Sequence, residues 1–267
     1  MMESGQKDAL LARLDDLVKR AENGEAATSG FLSPAEGHAA CQYLTREGAF
    51  FRVFGGYESA ERTRVYVLPS YMEDAAEEVS TLSSLLEAFG YDCRIACLRV
   101  QGSGYASLCH RDFLGSLLAL GLERSVIGDI LVTEAPAVEA LVFCDEPIVA
   151  FLLQEWTRVG NDAVRISQVP LAQVVVPERK FASIHDTLAS PRLDGVVAAL
   201  CRLSRERAKT AVESGLVELD FEREERPDRT VGGGSILSVR GYGRYRILSV
   251  SEQTKKGRFR LEAQKYL

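Results

Sequence analysis

Groups that commonly carry catalysis or hold metals are scarce in this chain. Its 267 residues include three histidines (His38, His110, His185) and one tryptophan, and no Gly-x-Ser-x-Gly, Walker or glycine-rich dinucleotide motif is present. The enzyme classes that rest on those motifs are excluded. Six cysteines (Cys41, Cys93, Cys97, Cys109, Cys144, Cys201) form no CxxC pairs and lack the dense spacing of a secreted disulfide scaffold, so they read as reduced core residues. If Cys93 and Cys97 share a strand they lie about 13 Å apart by strand rise, too far for one zinc. No metal and no cofactor are expected. No run of about 18 apolar residues occurs, and the opening MMESGQKDALLARLDD is acidic where a targeting peptide would be basic. A cytoplasmic protein with no membrane partner is the expectation.

A net positive charge is also missing. The chain carries 32 Lys+Arg against 38 Asp+Glu, a net of −6, which is the wrong sign for binding a phosphate backbone. The average hides an asymmetry. Residues 190–267 hold 16 basic and 11 acidic residues, net +5, while residues 1–189 are net −11, and from Ser235 onward the balance is 8 to 2. A basic end on an acidic body suggests a nucleic-acid-binding segment.

Hydrophobic spacing predicts an α+β protein. Leu10, Leu11, Leu14, Leu17 and Val18 mark a helix over residues 8–22, and Ser33-Pro34 opens a second that runs to about Arg46. Phe50–Phe54 and Arg64–Leu68 read as strands, and Glu73–Ala88 as a helix ending at Gly90. Residues 1–90 thus form an N-terminal α/β unit. Over residues 91–178 the order is strand Cys93–Val100, helix His110–Leu120, strand Asp129–Thr133, strand Val138–Phe143, helix Glu146–Val159 and strand Ala163–Gln168. That βαββαβ order is RRM-like, or ferredoxin-like. Its central strands offer Ile95, Leu98, Ile130 and Val132 where an RNA-stacking sheet would show aromatics. Val169–Pro177 reads as an extended connector.

Residues 179–267 read as a third domain. Leu193, Val196, Val197 and Leu200 form one helical face, and Ala208, Ala211 and Val212 another. Ser204 can cap the second helix and Gly215 can end it. Arg205 and Lys209, four residues apart, share an outer face. Strands follow at 216–221, 236–239 and 245–250, and then a basic tail. Arg240, Arg244, Arg246, Lys255, Lys256, Arg258 and Arg260 recur within 21 residues among Gly241, Gly243 and Gly257. They form either a solvated face or a phosphate surface that glycine lets the backbone approach. Tyr242 and Tyr245 offer stacking faces, or core packing.

Arg192-Leu193-Asp194, Leu203-Ser204-Arg205 and Gly215-Leu216-Val217 resemble the S4 family of RNA-binding domains. The closer resemblance is to the YlmH family of S4-domain proteins. It rests on Ser238-Val239-Arg240-Gly241-Tyr242-Gly243-Arg244 and Thr254-Lys255-Lys256-Gly257-Arg258, and upstream on Gly55-Gly56-Tyr57 with Ala60-Glu61-Arg62, His110-Arg111-Asp112-Phe113-Leu114-Gly115 and Ile127-Gly128-Asp129-Ile130-Leu131. The resemblance implies a bacterial, cytoplasmic protein that binds structured rRNA or tRNA on the large ribosomal subunit and handles stalled peptidyl-tRNA in ribosome-associated quality control; a monomer is expected. The expected RNA contacts are Arg192, Arg205, Lys209, Arg240, Tyr242, Arg244, Arg246, Lys255, Lys256 and Arg258. Asp220 and Gly234-Ser235 depart from the Asn and Gly-Asp of many S4 modules, and a charge at Asp220 could oppose RNA. Two other readings remain: an RNA-modifying enzyme of pseudouridine-synthase type centred on His110-Arg111-Asp112, and a protein-interaction adaptor using the acidic half. Asp112 at a helix start is more simply a cap.

Overall fold

The computed structural model describes residues 4–133, 139–177, 181–253 and 257–267. The chain divides into two compact units, residues 2–177 and residues 178–267.

In the first unit, helix α1 (Ser4–Glu22), the short β1 (Ala27–Thr28) and helix α2 (Pro34–Arg46) precede strands β2 (Phe51–Phe54) and β3 (Arg64–Val67), and the sheet order is β1-β3-β2. The start of α2 is fixed locally by a capping box. Glu36 N–H donates to the Ser33 hydroxyl, and Ser33 N–H donates to Glu36 Oε2 at 2.8 Å. Leu10, Leu14 and Leu17 of α1 and Ala40 and Leu44 of α2 pack on Val65 and Val67. The helix expected over Glu73–Ala88 is two: α3 (Glu73–Glu78) and α4 (Leu82–Ala88). β-Branched Val79 is extended between them and the Thr81 side chain caps Ser84, the local alternative that Ser and Thr offer to a continuing helix.

Strand β4 (Ile95–Gln101), helix α5 (His110–Ala119), strands β5 (Ile127–Thr133) and β6 (Glu139–Asp145), helix α6 (Val149–Glu155), the small hairpin β7 (Arg158–Val159) and β8 (Asp162–Ala163), and β9 (Arg165–Val169) follow. The four long strands pair antiparallel in the order β5-β6-β4-β9. Helix α6 is shorter than expected, because Trp156 turns out of the helix and donates its indole N–H to the Ser116 hydroxyl at 2.9 Å.

Both faces of this sheet are covered. Leu98, Val100, Ile130 and Val142 pack with Phe113, Leu117, Leu152 and Trp156. Ile95, Cys97, Leu141 and Phe143 pack with Tyr66, Leu68, Met72, Leu85 and Leu86. Of the four residues expected on central strands, Ile95 and Leu98 do lie on central β4 but point to opposite faces, being an odd number of residues apart, while Ile130 and Val132 lie on β5, an edge strand; the other central strand is β6. Position 90/91 falls between α4 and β4, inside one compact unit whose cluster draws on both sides of it.

The second unit begins with β10 (Phe181–Leu188) and continues through α7 (Leu193–Cys201), α8 (Arg205–Glu213), β11 (Val217–Leu219), β12 (Glu222–Arg223), β13 (Ile236–Val239), β14 (Gly243–Gln253) and β15 (Phe259–Tyr266). Its six-stranded sheet has the order β10-β15-β14-β13-β11-β12. The basic segment after Val250 is not a tail, since β15 pairs with β10 over eight residues and with β14 on its other side. Leu237, Tyr245, Ile247, Leu261 and Ala263 turn one sheet face onto Leu193, Val197, Leu200, Ala208 and Val212. Each fully buried aliphatic side chain contributes about 1.5–3 kcal/mol. Among the described residues no helix is long and apolar enough to cross a membrane.

The cysteines are free but not uniformly interior: Cys97 and Cys144 are buried, Cys41, Cys93 and Cys201 half-buried, and Cys109 exposed. Cys109 precedes the first residue of α5, where the chain surfaces to start the helix.

Candidate functional site

Helices α7 and α8 meet at a three-residue corner. Arg202 ends α7 in the left-handed conformation (φ 53°), and the Ser204 hydroxyl accepts from Arg207 N–H at 3.3 Å to cap α8. On α8, Arg205 and Lys209 are both exposed, and their roles differ. Arg205 Nη2 donates to Asp194 Oδ1 at 2.9 Å, and Asp194 is buried, with Gly195 N–H at 2.8 Å and Arg192 Nε at 3.4 Å on the same oxygen. Lys209 lies 3.6 Å from Glu213, an exposed pair of little energetic weight. Arg205 is thus part of the unit's construction as well as of its surface.

Burial by itself would raise the Asp194 carboxyl, but the hydrogen bond and charge of Arg205, with Arg192 and Gly195 N–H, hold it below the usual aspartate value. A depressed carboxyl stabilises the fold above its unfolded value of about 3.9 and loses that contribution as pH falls through the lower folded value. Arg205→Ala is expected to cost this unit about 1 kcal/mol near neutral pH, the low end for a charged hydrogen bond because the guanidinium is half exposed. Lys209→Ala is expected to cost within about 0.5 kcal/mol. Thermal melts at pH 7 and pH 3 check this: the Arg205→Ala deficit shrinks in acid, and equal melts for the two variants at pH 7 would refute the role given to Arg205.

The remaining sequence-predicted residues fall on other parts of the same unit. Arg192 precedes α7, where it bridges to Thr230. Arg240 and Tyr242 are exposed at the tip of the β13–β14 hairpin, whereas Tyr245 is buried in the core. Arg244 and Arg246 alternate with Tyr245 and Ile247, so they project from the sheet face opposite α7 and α8. Arg258 Nη2 donates to Thr187 O at 2.7 Å, pinning the start of β15 to β10. Lys255 and Lys256 lie outside the described residues. The structure therefore splits the predicted set between the helical corner, one hairpin tip and the outer sheet face.

The acidic run Glu222, Glu224, Glu225 and Asp228 carries its own counter-charges, which sequence reasoning missed. Arg223 pairs with Glu225 at 2.7 Å, and Glu224 takes Arg226 at 3.1 Å and Arg229 at 3.7 Å. Their alternation along the segment was the available signal. Asp220, the departure read as unfavourable to RNA, turns its carboxylate inward: Ile236 N–H donates to Oδ1 at 2.8 Å and the Ser235 hydroxyl to Oδ2 at 3.2 Å. The second departing residue, Ser235, thus supplies a partner for the first.

In the first unit the upstream motifs converge on one buried knot. Asp129 accepts from Tyr57 Oη at 2.7 Å, Glu61 N–H at 2.7 Å and Arg62 N–H at 3.0 Å. The Arg62 guanidinium donates to the carbonyls of Ile127, Phe31 and Arg124. Glycine is required where this knot closes on the core. A Cβ on Gly56 (φ 102°) would run into the Phe143 ring, and one on Gly128 would stand 2.7 Å from the Phe31 ring. Asp112 is an exposed cap of α5 that accepts from Cys109 N–H at 2.8 Å, and this backbone hydrogen bond lowers its carboxyl. A hollow of about 640 Å³ between α1 and the 28–33 segment, lined by Leu10, Leu14, Phe31, Arg62 and Arg124 among others, includes neither Asp112 nor a histidine.

Fold and charge together define a mixed α/β chain of two compact units, with a basic surface on the second and the polar knot of the first directed inward. Residues 91–173 match a family model described as "Putative RNA-binding domain in YlmH". The chain is 32% identical over 207 residues, 78% of its length and 74% of the relative's, to the "Ribosome-associated protein quality control protein P2" of Bacillus subtilis (strain 168). A solved structure, "Cell division protein ylmH from Streptococcus pneumoniae", superposes with a TM-score of 0.50 at 16% identity, covering 66% of this chain and 98% of that one, a likeness of fold. The chain belongs to the YlmH family.

Proposed function

We propose that this protein is a non-catalytic, ribosome-associated RNA-binding factor whose second unit is an S4-type module. The observation that carries the reading is the contrast between the units. In residues 2–177 both faces of the four-stranded sheet are packed and the motif residues Tyr57, Arg62 and Asp129 satisfy one another internally. In residues 178–267, Lys209 is exposed on the capped two-helix corner, Arg240 at a hairpin tip and Arg246 on the outer sheet face. Phosphate binding needs exposed cations more than it needs a pocket. The name of the Bacillus relative, a ribosome-associated quality control protein, supports the same direction.

In finer terms, the protein acts as a cytoplasmic monomer on structured rRNA or tRNA of the large ribosomal subunit and takes part in handling stalled peptidyl-tRNA. The contacts are Arg192, Lys209, Arg240, Tyr242, Arg244 and Arg246, with Arg205, Lys255, Lys256 and Arg258 beside them. Residues 1–90 and the RRM-like segment 91–178 serve as a body for this module. The description of the family model at 91–173 favours a second reading in which that segment also meets RNA. With both sheet faces packed, such contact would use its loops and helix surfaces.

The test is co-sedimentation of the intact protein with purified large ribosomal subunits across a salt series. Binding that falls steeply with salt is expected, since each neutralised phosphate adds about 0.7–0.9 to the log–log slope. Absence of binding at low salt, or binding indifferent to salt, would reject the proposal.

A further inference from the structure

The sheet face of the second unit that turns away from α7 and α8 carries a row of rings. Phe181 and Tyr266, directly paired across β10 and β15, meet edge to face with centroids 5.1 Å apart. The Arg244 guanidinium stands 6.0 Å from the Tyr266 ring and 5.9 Å from the Phe221 ring. The neighbouring rows place Arg246 beside Gln264 and Ser183, and Arg260 beside Thr187. Phe181, Tyr266 and Phe221 are half-buried, and Arg246 and Arg260 are exposed. Among the described residues two carboxylates share these rows: Glu218 opposite Ser238, and Glu262, which accepts from the Ser249 hydroxyl at 3.2 Å. Arginine is in excess.

Phe221 arrives there at a conformational cost. Asp220 and Phe221 form the two-residue turn between β11 and β12, and both are left-handed, with φ of 51° and 68°. Such turns favour Asn-Gly or Asp-Gly, because a residue with a Cβ is strained in this region. The hydrogen bonds of Asp220 to Ile236 and Ser235 hold the turn. Strain kept in place by its surroundings points to a use for the side chain that causes it.

We propose that Phe221, Tyr266 and Phe181 form a stacking platform for unpaired nucleobases of RNA, with Arg244, Arg246 and Arg260 on the adjoining phosphates. The proposal rests on the RNA-binding reading above and extends it from phosphate contact to base stacking, with a single-stranded segment on the sheet face where Arg244 and Arg246 lie. Rings on an antiparallel sheet accept bases of any sequence, because every base has a π-face, and arginine adds charge and planarity.

The experiment uses the intact chain and two fluorescent probes, a ten-nucleotide oligouridine and a fully paired RNA hairpin, followed by anisotropy. Phe221→Gly removes the ring and relieves the turn, so its melting temperature is expected to stay level or rise. Its oligouridine affinity should fall about fivefold or more while hairpin affinity stays within about twofold. Tyr266→Ala should show the same selectivity. Unchanged oligouridine binding in both variants overturns the platform, as does an equal loss on both probes, which would assign the rings to the fold. A wild-type protein that binds the hairpin but not oligouridine overturns the platform alone, and one that binds neither overturns the RNA-binding reading with it.

Discussion

Asp129→Ala is expected to lower the thermal transition of the first unit by roughly 10 °C. Asp129 is buried and is the common acceptor for Tyr57 Oη and the backbone N–H groups of Glu61 and Arg62. Alanine strips these donors of their acceptor at a site water reaches poorly, and each buried group left unsatisfied costs about 1–3 kcal/mol. The three losses overlap, which puts the sum at about 3–5 kcal/mol, and a unit of this size loses about 2–4 °C per kcal/mol. Asp129→Asn should be nearly as damaging, because its amide N–H₂ would face a donor on one side. RNA affinity measured well below the transition should not change. Melting curves with an RNA titration at 10 °C check both halves of the expectation. An unchanged melt would free Asp129 for another role and reopen the enzyme reading.

This knot explains why so much of the family resemblance lies in a unit with little basic surface. Gly56, Tyr57, Arg62, Gly128 and Asp129 are held by packing and hydrogen-bond geometry, requirements as strict as those of chemistry. From sequence alone the two cases look alike. What separates them is whether the polar atoms find partners inside the fold, and here they do.

Local features were legible where their causes are local. The Ser33 cap, the Ser204 cap, the left-handed Gly215 and the strands of the four-stranded sheet follow from spacing and turn chemistry. The Val79-Ser80-Thr81 break carried its own signal, extended or capping side chains inside an otherwise helical pattern. What was not legible depends on contacts between distant segments. Arg205 and Asp194 lie eleven residues apart and meet only because the α7–α8 corner folds one onto the other. The covering of the four-stranded sheet by Tyr66, Leu68, Met72 and Leu85 requires knowing which elements pack on which face. Residues 259–266 looked like a tail because they follow the basic cluster Lys255, Lys256, Arg258 and Arg260, although Phe259, Leu261 and Ala263 alternate as in any half-buried strand.

Charge reversal at two exposed positions should have the largest effect on binding. Among the described residues Lys209 and Arg240 carry no buried partner: Lys209 touches the exposed Glu213, and Arg240 sits at a hairpin tip. Neither is needed to hold Asp194, so Lys209→Glu with Arg240→Glu should alter stability by less than about 1 kcal/mol. Each reversal removes a phosphate contact and adds a repulsive charge beside the RNA. Two together should weaken affinity on the order of 100-fold at low salt and lower the salt slope by about one per lost contact. Asp112→Asn, the matched control, alters only a helix cap and should leave binding unchanged.

The most direct measurement is therefore the affinity of the intact protein, its Lys209→Glu/Arg240→Glu variant and Asp112→Asn for one structured ribosomal RNA fragment, from about 50 to 300 mM salt. The account predicts a steep log–log line for the wild type and Asp112→Asn, and a shallower, much weaker line for the reversed variant with its melting curve intact. Overlapping lines for all three proteins would contradict it, because the second unit would then not be where the RNA is held.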